Sequence, residues 1–403
     1  MSGAPAAGAR AARRDEKDEI RRTDGREPQP ADRESWWATL RRAAAIVLFT
    51  RVVLLLVAYA AAWFLSDTPG PPAASAATLW VHWDASIFLR IAAFGYTNPA
   101  GDPHATAFFP LFPLLLAGLS ALGLAPVVAG MLVSLVASIV AATYLVRLVD
   151  EEQGGGAGRR AALYLSLFPT AVFLVAPYSE GLFLAGAVPA FYWARRGHWG
   201  RASLPAAVAM GARLAGVFVL LGLVGELLRA RDFRPRRMLE AVAALGVGAA
   251  PLIAFCAYLW AATGDPFHFV VDQKLGWGRE LVGPVASFLN TVGATSGSRY
   301  PANWVFAWRL EVLAALLGLA CVVWAAKRRE WGYALYMGSL LGVLMVSTWY
   351  LSIPRMLLSL FPIPILLASA TRRNERLHEV VLVTSGAAAV LGTIVYTRGA
   401  WFF

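Results

Sequence analysis

Apolar residues in this chain come in long, nearly unbroken runs, not at the short periods of a soluble fold. A helix needs about 20 consecutive apolar residues to cross a bilayer. Runs of that kind or slightly shorter occupy about 43–65, 107–122, 124–147, 161–176, 181–194, 202–228, 239–262, 308–326, 331–351, 356–371 and 378–397. The pattern predicts an all-α polytopic membrane protein with about nine to eleven membrane helices and short interfacial helices.

Charge gives these runs a direction. Arg41 and Arg42 precede the first run, and arginines or lysines also cluster at 159–160, 195–196, 229–237, 327–329 and 372–373. Basic residues mark the cytoplasmic ends of spans, which places the N-terminus inside. Two runs break the alternation. Residues 107–122 carry Pro110 and Pro113 near their start and are expected to be a partly inserted or surface helix. Residues 202–228 have basic residues on both sides and Gly211, Arg213 and Gly216 in the middle, which predicts a broken or re-entrant helical hairpin. Arg51 lies within the first run and is expected to snorkel to the near interface.

Two polar interruptions then fall outside, at about 66–106 and 263–307. In the first, Ile87, Phe88, Ile91 and Phe94 recur at helical spacing with Arg90 elsewhere, the mark of a short interfacial helix. Residues 1–36 contain almost no large apolar side chain and are expected to form a disordered cytoplasmic tail ahead of a membrane domain over 37–403.

Composition agrees with this picture. The 403 residues are 58% hydrophobic and 15% charged, against about 25% charged in soluble domains. The net charge of +11 is spent at the ends of runs, so it reports topology and excludes a nucleic-acid partner. Cys256 and Cys321 each sit within an apolar run, which supports no disulfide framework and no cysteine-based zinc site.

The candidate chemistry gathers on the outer face. The first segment offers His82, Trp83 and Asp84, then Asp102 and His104; the second offers Asp265, His268, Asp272, Gln273, Lys274 and Arg279. Tyr178, Ser179 and Glu180 lie at the outer end of one run, Arg213 in the middle of another, and Arg355 follows a proline at a span boundary. Charged groups at membrane depth normally face a cavity with a partner. A carboxylate can accept the proton of a sugar hydroxyl, and arginine can hold a leaving phosphate with two hydrogen bonds. Asp84 could equally cap the helix that starts at Ala85, and Glu180 could cap the next one. The His82-x-Asp84 and Asp102-x-His104 spacings admit a divalent cation, but such short patterns are common, and no cofactor is required.

The segments HWDASIFLRIAAFGYT with AFFPLFPLL, then LFPTAVFLVAPYSEGLF, GARLAGVF and IPRMLLSLFPIP run in one order from about residue 80 to 370. In these the chain resembles the PIG-V-like family of mannosyltransferases, of the GT-C class of polytopic transferases. The family's arginine usually follows threonine, whereas Ala212 precedes Arg213 here. The resemblance implies a GT-C-type bundle with Asp84 as catalytic base. It implies cavity roles for Tyr178, Ser179, Glu180, Arg213 and Arg355, beside the candidates His82, Trp83 and Lys274.

The expected activity is inverting transfer of a hexose, with mannose the implied sugar. The donor would be a polyprenyl-phosphate carrier, and the acceptor a glycolipid, polymer or protein on the outer face of a bacterial plasma membrane. A transporter or flippase of a lipid-linked or amphipathic solute is the alternative class, since it too needs intramembrane charges and broken helices. A non-catalytic assembly subunit is a third.

Overall fold

The computed structural model describes residues 35–65, 75–154, 156–232, 234–297 and 300–403. The expected tail at 1–36 lies almost wholly outside them, as does part of the first polar interruption. The chain divides into a unit up to Thr39 and a second unit, Leu40–Phe403, which holds everything considered below.

The described residues are helical, as the apolar runs predict, with a single isolated bridge between Leu281 and Ser347. In order the helices are α1 Trp36–Phe64, α2 Asp84–Phe94, α3 Leu111–Ala121, α4 Pro126–Gln153 and α5 Ala157–Ser166. Then come α6 Glu180–Arg195, α7 Trp199–Ala212, α8 Gly216–Ala230, α9 Pro235–Thr263 and α10 His268–Trp277. The remainder are α11 Pro284–Ala294, α12 Ala302–Lys327, α13 Trp331–Leu344, α14 Ile353–Ser359, α15 Pro362–Thr371 and α16 Glu375–Thr397.

Five of these, α1, α4, α9, α12 and α16, are long and apolar enough to cross a membrane, and α14 with α15 would make a sixth as one span bent by 77°. The chain is thus an integral membrane protein. By length alone this is fewer than the nine to eleven membrane helices the apolar runs predict, among which 107–122 and 202–228 are expected not to cross fully. Several of those runs instead fold as helices of 10–16 residues, among them α5, α6 and α7, about 15–24 Å long at 1.5 Å per residue. Apolar composition cannot separate a helix buried among other helices from one bathed in lipid.

Helix α6 shows why. Leu182, Phe183, Leu184, Val188, Ala190 and Tyr192, which lie around the whole helix, are all buried, so protein covers it on all sides. Its glycines let neighbours approach backbone to backbone: a Cβ on Gly186 would sit 2.4 Å from the Ala209 nitrogen on α7, and one on Gly181 3.0 Å from the Ser134 carbonyl on α4. Between helices in lipid, such close van der Waals packing replaces the hydrophobic effect as the main source of cohesion. Gly248 likewise meets Leu220 and Ala206, while nothing lies near Gly246.

The expected surface helix at 107–122 is the short α3. The expected break in 202–228 falls at Arg213, which is extended (φ −158°, ψ 147°) between α7 and α8. The turn is tight: a Cβ on Gly216 would lie 2.4 Å from the Met210 Cα. Arg51 does not snorkel. It is 4% exposed and donates from Nη2 to Ser138 Oγ on α4 at 3.4 Å; α4 packs over the face on which Arg51 sits, so its side chain has no route to the interface.

Candidate active site

Four chain segments converge at the N-terminal end of α6. The first is 80–84. Trp83 adopts a left-handed backbone (φ 53°) that a bulky residue rarely takes. Two buried tyrosines hold the segment. Tyr178 Oη donates to the His82 carbonyl at 3.0 Å, and Tyr396 Oη donates to the Trp80 carbonyl at 3.0 Å. Burial pushes the Tyr178 hydroxyl well above its ordinary pKa, so it remains a donor. With this segment fixed, α2 begins at Asp84.

Asp84 makes no side-chain cap bond at its helix start. Its Oδ2 instead accepts from Arg355 Nη1 at 2.5 Å. Glu180, the first residue of α6, accepts from both Arg355 Nε and Arg213 Nη1 through the same oxygen. Both acids lie in the first turn of their helices, where a carboxylate suits the dipole, and their side chains point to guanidinium groups. Burial would push the Glu180 carboxyl up, but Arg213 and Arg355 outweigh it and hold the group below the usual carboxylate range.

Arg355 is placed by local backbone chemistry. Ser352 is left-handed (φ 66°) and Pro354 opens α14, where a missing N–H costs nothing. The α14 N-terminus is capped from outside: Glu311 of α12 accepts from the Ser352 and Ile353 amides at 2.6 and 2.7 Å. The Arg355 guanidinium also lies over the rings of Tyr178 and Phe173, 4.6 and 4.8 Å from their centroids, a cation–π arrangement. Arg213 completes the cluster from the helix break, with Ser179 Oγ at 3.4 Å and Met356 Sδ at 3.5 Å.

A third arginine enters from the loop after α10. Arg279 is partly buried and donates to the Leu351 carbonyl and Gln273 Oε1, at 3.2 and 3.3 Å. Burial lowers its pKa to about 10, while Asp84 and Glu311 oppose that shift and Arg355 and Arg213 add to it. At neutral pH it is still charged. Asp84, Glu180, Arg213, Arg279 and Arg355 thus place three cations against two carboxylates.

The cluster is not saturated. Asp84 Oδ1 and Arg355 Nη2 make no hydrogen bond among the described residues, and the Asp84 side chain keeps 18% of its exposure. Glu180 Oε2 is buried without a partner. One face of the ion-pair network can therefore take a hydroxyl proton and an anion.

The other sequence candidates lie around it or apart from it. His82 stands beside the cluster, edge-on to Tyr396; burial lowers its imidazole pKa, against a backbone hydrogen bond at Thr397. Trp83 is 43% exposed. Ser179 is buried at the Arg213 guanidinium. Lys274 points away, paired in solvent with Glu280 at 3.0 Å. Asp272 takes the Thr106 amide and hydroxyl at 3.1 and 2.6 Å, with His104 at 3.7 Å and His268 at 3.9 Å, and so ties the two polar interruptions together. Among the described residues no group of three or more His, Cys, Asp or Glu could hold a metal ion.

Comparison with known proteins bears on the family resemblance and on the fold. The family Mannosyltransferase (PIG-V) matches residues 73–229, which bears out the resemblance over the stretch that holds Asp84, Tyr178, Ser179, Glu180 and Arg213. Arg355 and Arg279 lie beyond it. Among solved structures the chain is similar to ArnT from Cupriavidus metallidurans bound to undecaprenyl phosphate, at 16% identity and TM-score 0.53, covering 87% of this chain and 64% of that one. It is also similar to an oligosaccharyltransferase from Archaeoglobus fulgidus, at 13% identity and TM-score 0.45, covering 87% of this chain and 53% of that one. The chain thus spans just under two thirds of the ArnT chain. No curated protein sequence matches it. The likeness to ArnT bears out the expected GT-C-type helical fold.

Proposed function

We propose that this protein is an inverting glycosyltransferase that moves a hexose, mannose by family resemblance, from a polyprenyl-phosphate carrier to a glycolipid, polymer or protein acceptor. The N-terminus is inside and the site opens to the outer face of the plasma membrane. The observation that carries the reading is the unsaturated cluster, in which an accessible carboxylate oxygen shares one arginine with a free nitrogen.

The acceptor hydroxyl gives its proton to Asp84 Oδ1 while its oxygen bonds to the anomeric carbon of the sugar. The bond from that carbon to the phosphate oxygen breaks, and its electron pair leaves on the carrier phosphate. Attack opposite the leaving group inverts the sugar carbon. Arg355 Nη2 and Arg279 receive the phosphate, with Arg213 and Glu180 fixing Arg355 from behind. The phosphate and Asp84 compete for the Arg355 guanidinium. The ligand named for ArnT, undecaprenyl phosphate, has the chemistry this arrangement suits.

The test uses membranes containing the full chain and radiolabelled polyprenyl-phosphate mannose. Label should move covalently into a lipid, polymer or protein fraction with wild type. Asp84→Asn at matched expression should lose transfer about 10²- to 10⁴-fold, the range for removing a positioned base. Equal transfer by both proteins would remove Asp84 from the chemistry. Label that crosses sealed vesicles without changing its covalent partner would favour a flippase.

A further inference from the structure

A second basic site lies at the opposite end of α6. Arg234, Arg236 and Arg237, with Glu240, line a cavity of about 260 Å³ where α9 begins. Arg237 Nη1 reaches the carbonyl of Gly197, just past the end of α6, at 2.6 Å. Three arginines share two carboxylates here: Arg234 takes Asp232 at 2.9 Å, Arg236 takes Glu240 at 3.1 Å, and Arg237 reaches Glu240 at 3.3 Å. The site keeps a net positive charge. The Arg234 and Arg236 side chains remain 80% and 91% exposed, so neither is committed to packing.

The surface beside the cavity is apolar. Leu239 and Val242, three and six residues after Arg236 on α9, are 70% and 59% exposed, and Leu228 near the end of α8 is 54% exposed. Of the five spans, α9 has the smallest buried share, 22%, so it presents most of its length to lipid. Guanidinium groups at headgroup depth, directly above lipid-facing aliphatic side chains, match a molecule with a phosphate at one end and acyl chains at the other.

We infer that this pocket binds an anionic phospholipid, with its phosphodiester on Arg234, Arg236 and Arg237 and its acyl chains along Leu239 and Val242. A topological role alone requires positive charge near the span but no cavity. The site is separate from the proposed transfer reaction and stands or falls without it.

The test is native mass spectrometry of the full chain in neutral detergent, titrated with dioleoyl phosphatidylglycerol, dioleoyl phosphatidylcholine or glycerol 3-phosphate. Phosphatidylglycerol should be retained where phosphatidylcholine is not. Arg234→Ala with Arg236→Ala should weaken retention roughly tenfold or more, since each arginine at the surface contributes to the attraction. The double lysine variant should fall between, because lysine keeps charge but loses the planar fork. Arg372→Ala with Arg373→Ala, at another basic helix end, should change nothing. Equal retention by wild type and the double alanine variant overturns the inference, as does equal retention of phosphatidylcholine. Glycerol 3-phosphate held as tightly as the lipid would reassign the pocket to a soluble phosphate.

Discussion

Helix α6 carries an ionic cluster at each end, and the two are built on opposite plans. At its C-terminal end Arg195, 7% exposed, bonds to Glu152, Glu226 and Glu330 and stacks on Tyr333 with 3.8 Å to the ring centroid. Glu226 also takes Arg229 at 2.7 Å, and Tyr333 donates to Glu152 at 3.1 Å. That cluster is acid-rich and closed in its pairing, since each charged group in it has a partner of opposite sign, although Glu330 and Arg229 stay 33% and 37% exposed. At the N-terminal end three arginines face two carboxylates, and Asp84 and Arg355 each keep a free atom. Buried charges that satisfy one another hold helices together; charges left partly unsatisfied remain available to a substrate. The difference supports the proposal that one end serves cohesion and the other chemistry.

The sharpest way to break that contrast is to damage the closed end. Arg195→Met leaves Glu152 and Glu330 without their cation and Glu226 with Arg229 alone, and should cost about 3–5 kcal/mol of stability, read as a lowered thermal midpoint in detergent. Transfer per folded molecule should be unchanged. If turnover fell while stability held, the assignment of the two ends would be wrong.

Next is the choice between Lys274 and Arg279 in the second polar interruption. Arg279→Ala should weaken binding of undecaprenyl phosphate roughly tenfold, the scale of one lost charged hydrogen bond. Lys274→Ala should leave it as it is, because Lys274 is spent on Glu280 in solvent. Equal effects from both substitutions would mean the loop moves on binding. The smallest expected effect is at Glu311. Glu311→Gln should lower turnover about tenfold by turning an N–H donor toward the Ser352 and Ile353 amides, with little change in thermal midpoint.

These residues also mark what could be read from the sequence. Arg213 and Arg355 stood out because each interrupts an apolar stretch beside glycine or proline, and the structure brings both to Glu180. Asp84 and Glu180 were legible as acids at helix starts, though not as partners of one arginine, since 175 residues separate Glu180 from Arg355. Glu311 was missed. It sits in the middle of an apolar run, and its role depends on amides 41 and 42 residues further on, a relation that leaves no periodic trace. Lys274 and Arg279 are five residues apart, one in α10 and one in the loop after it, and composition gives no hint of which turns inward. Arg51 was misjudged because snorkelling assumes an open route along the helix, and α4 closes it. Which apolar runs cross the membrane as one long helix leaves no mark in composition, because burial by protein, as in α6, and burial by lipid select the same residues.

The most direct test of the account is the affinity for undecaprenyl phosphate without sugar, compared between wild type, Asp84→Asn and Arg355→Lys. If Asp84 is the base and competes with the carrier phosphate for Arg355, Asp84→Asn should bind the carrier at least as tightly as wild type, and Arg355→Lys should bind it more weakly. Weakening by Asp84→Asn as large as that by Arg355→Lys would contradict the account. It would mean that Asp84 helps to hold the carrier, not that it stands ready to take a proton.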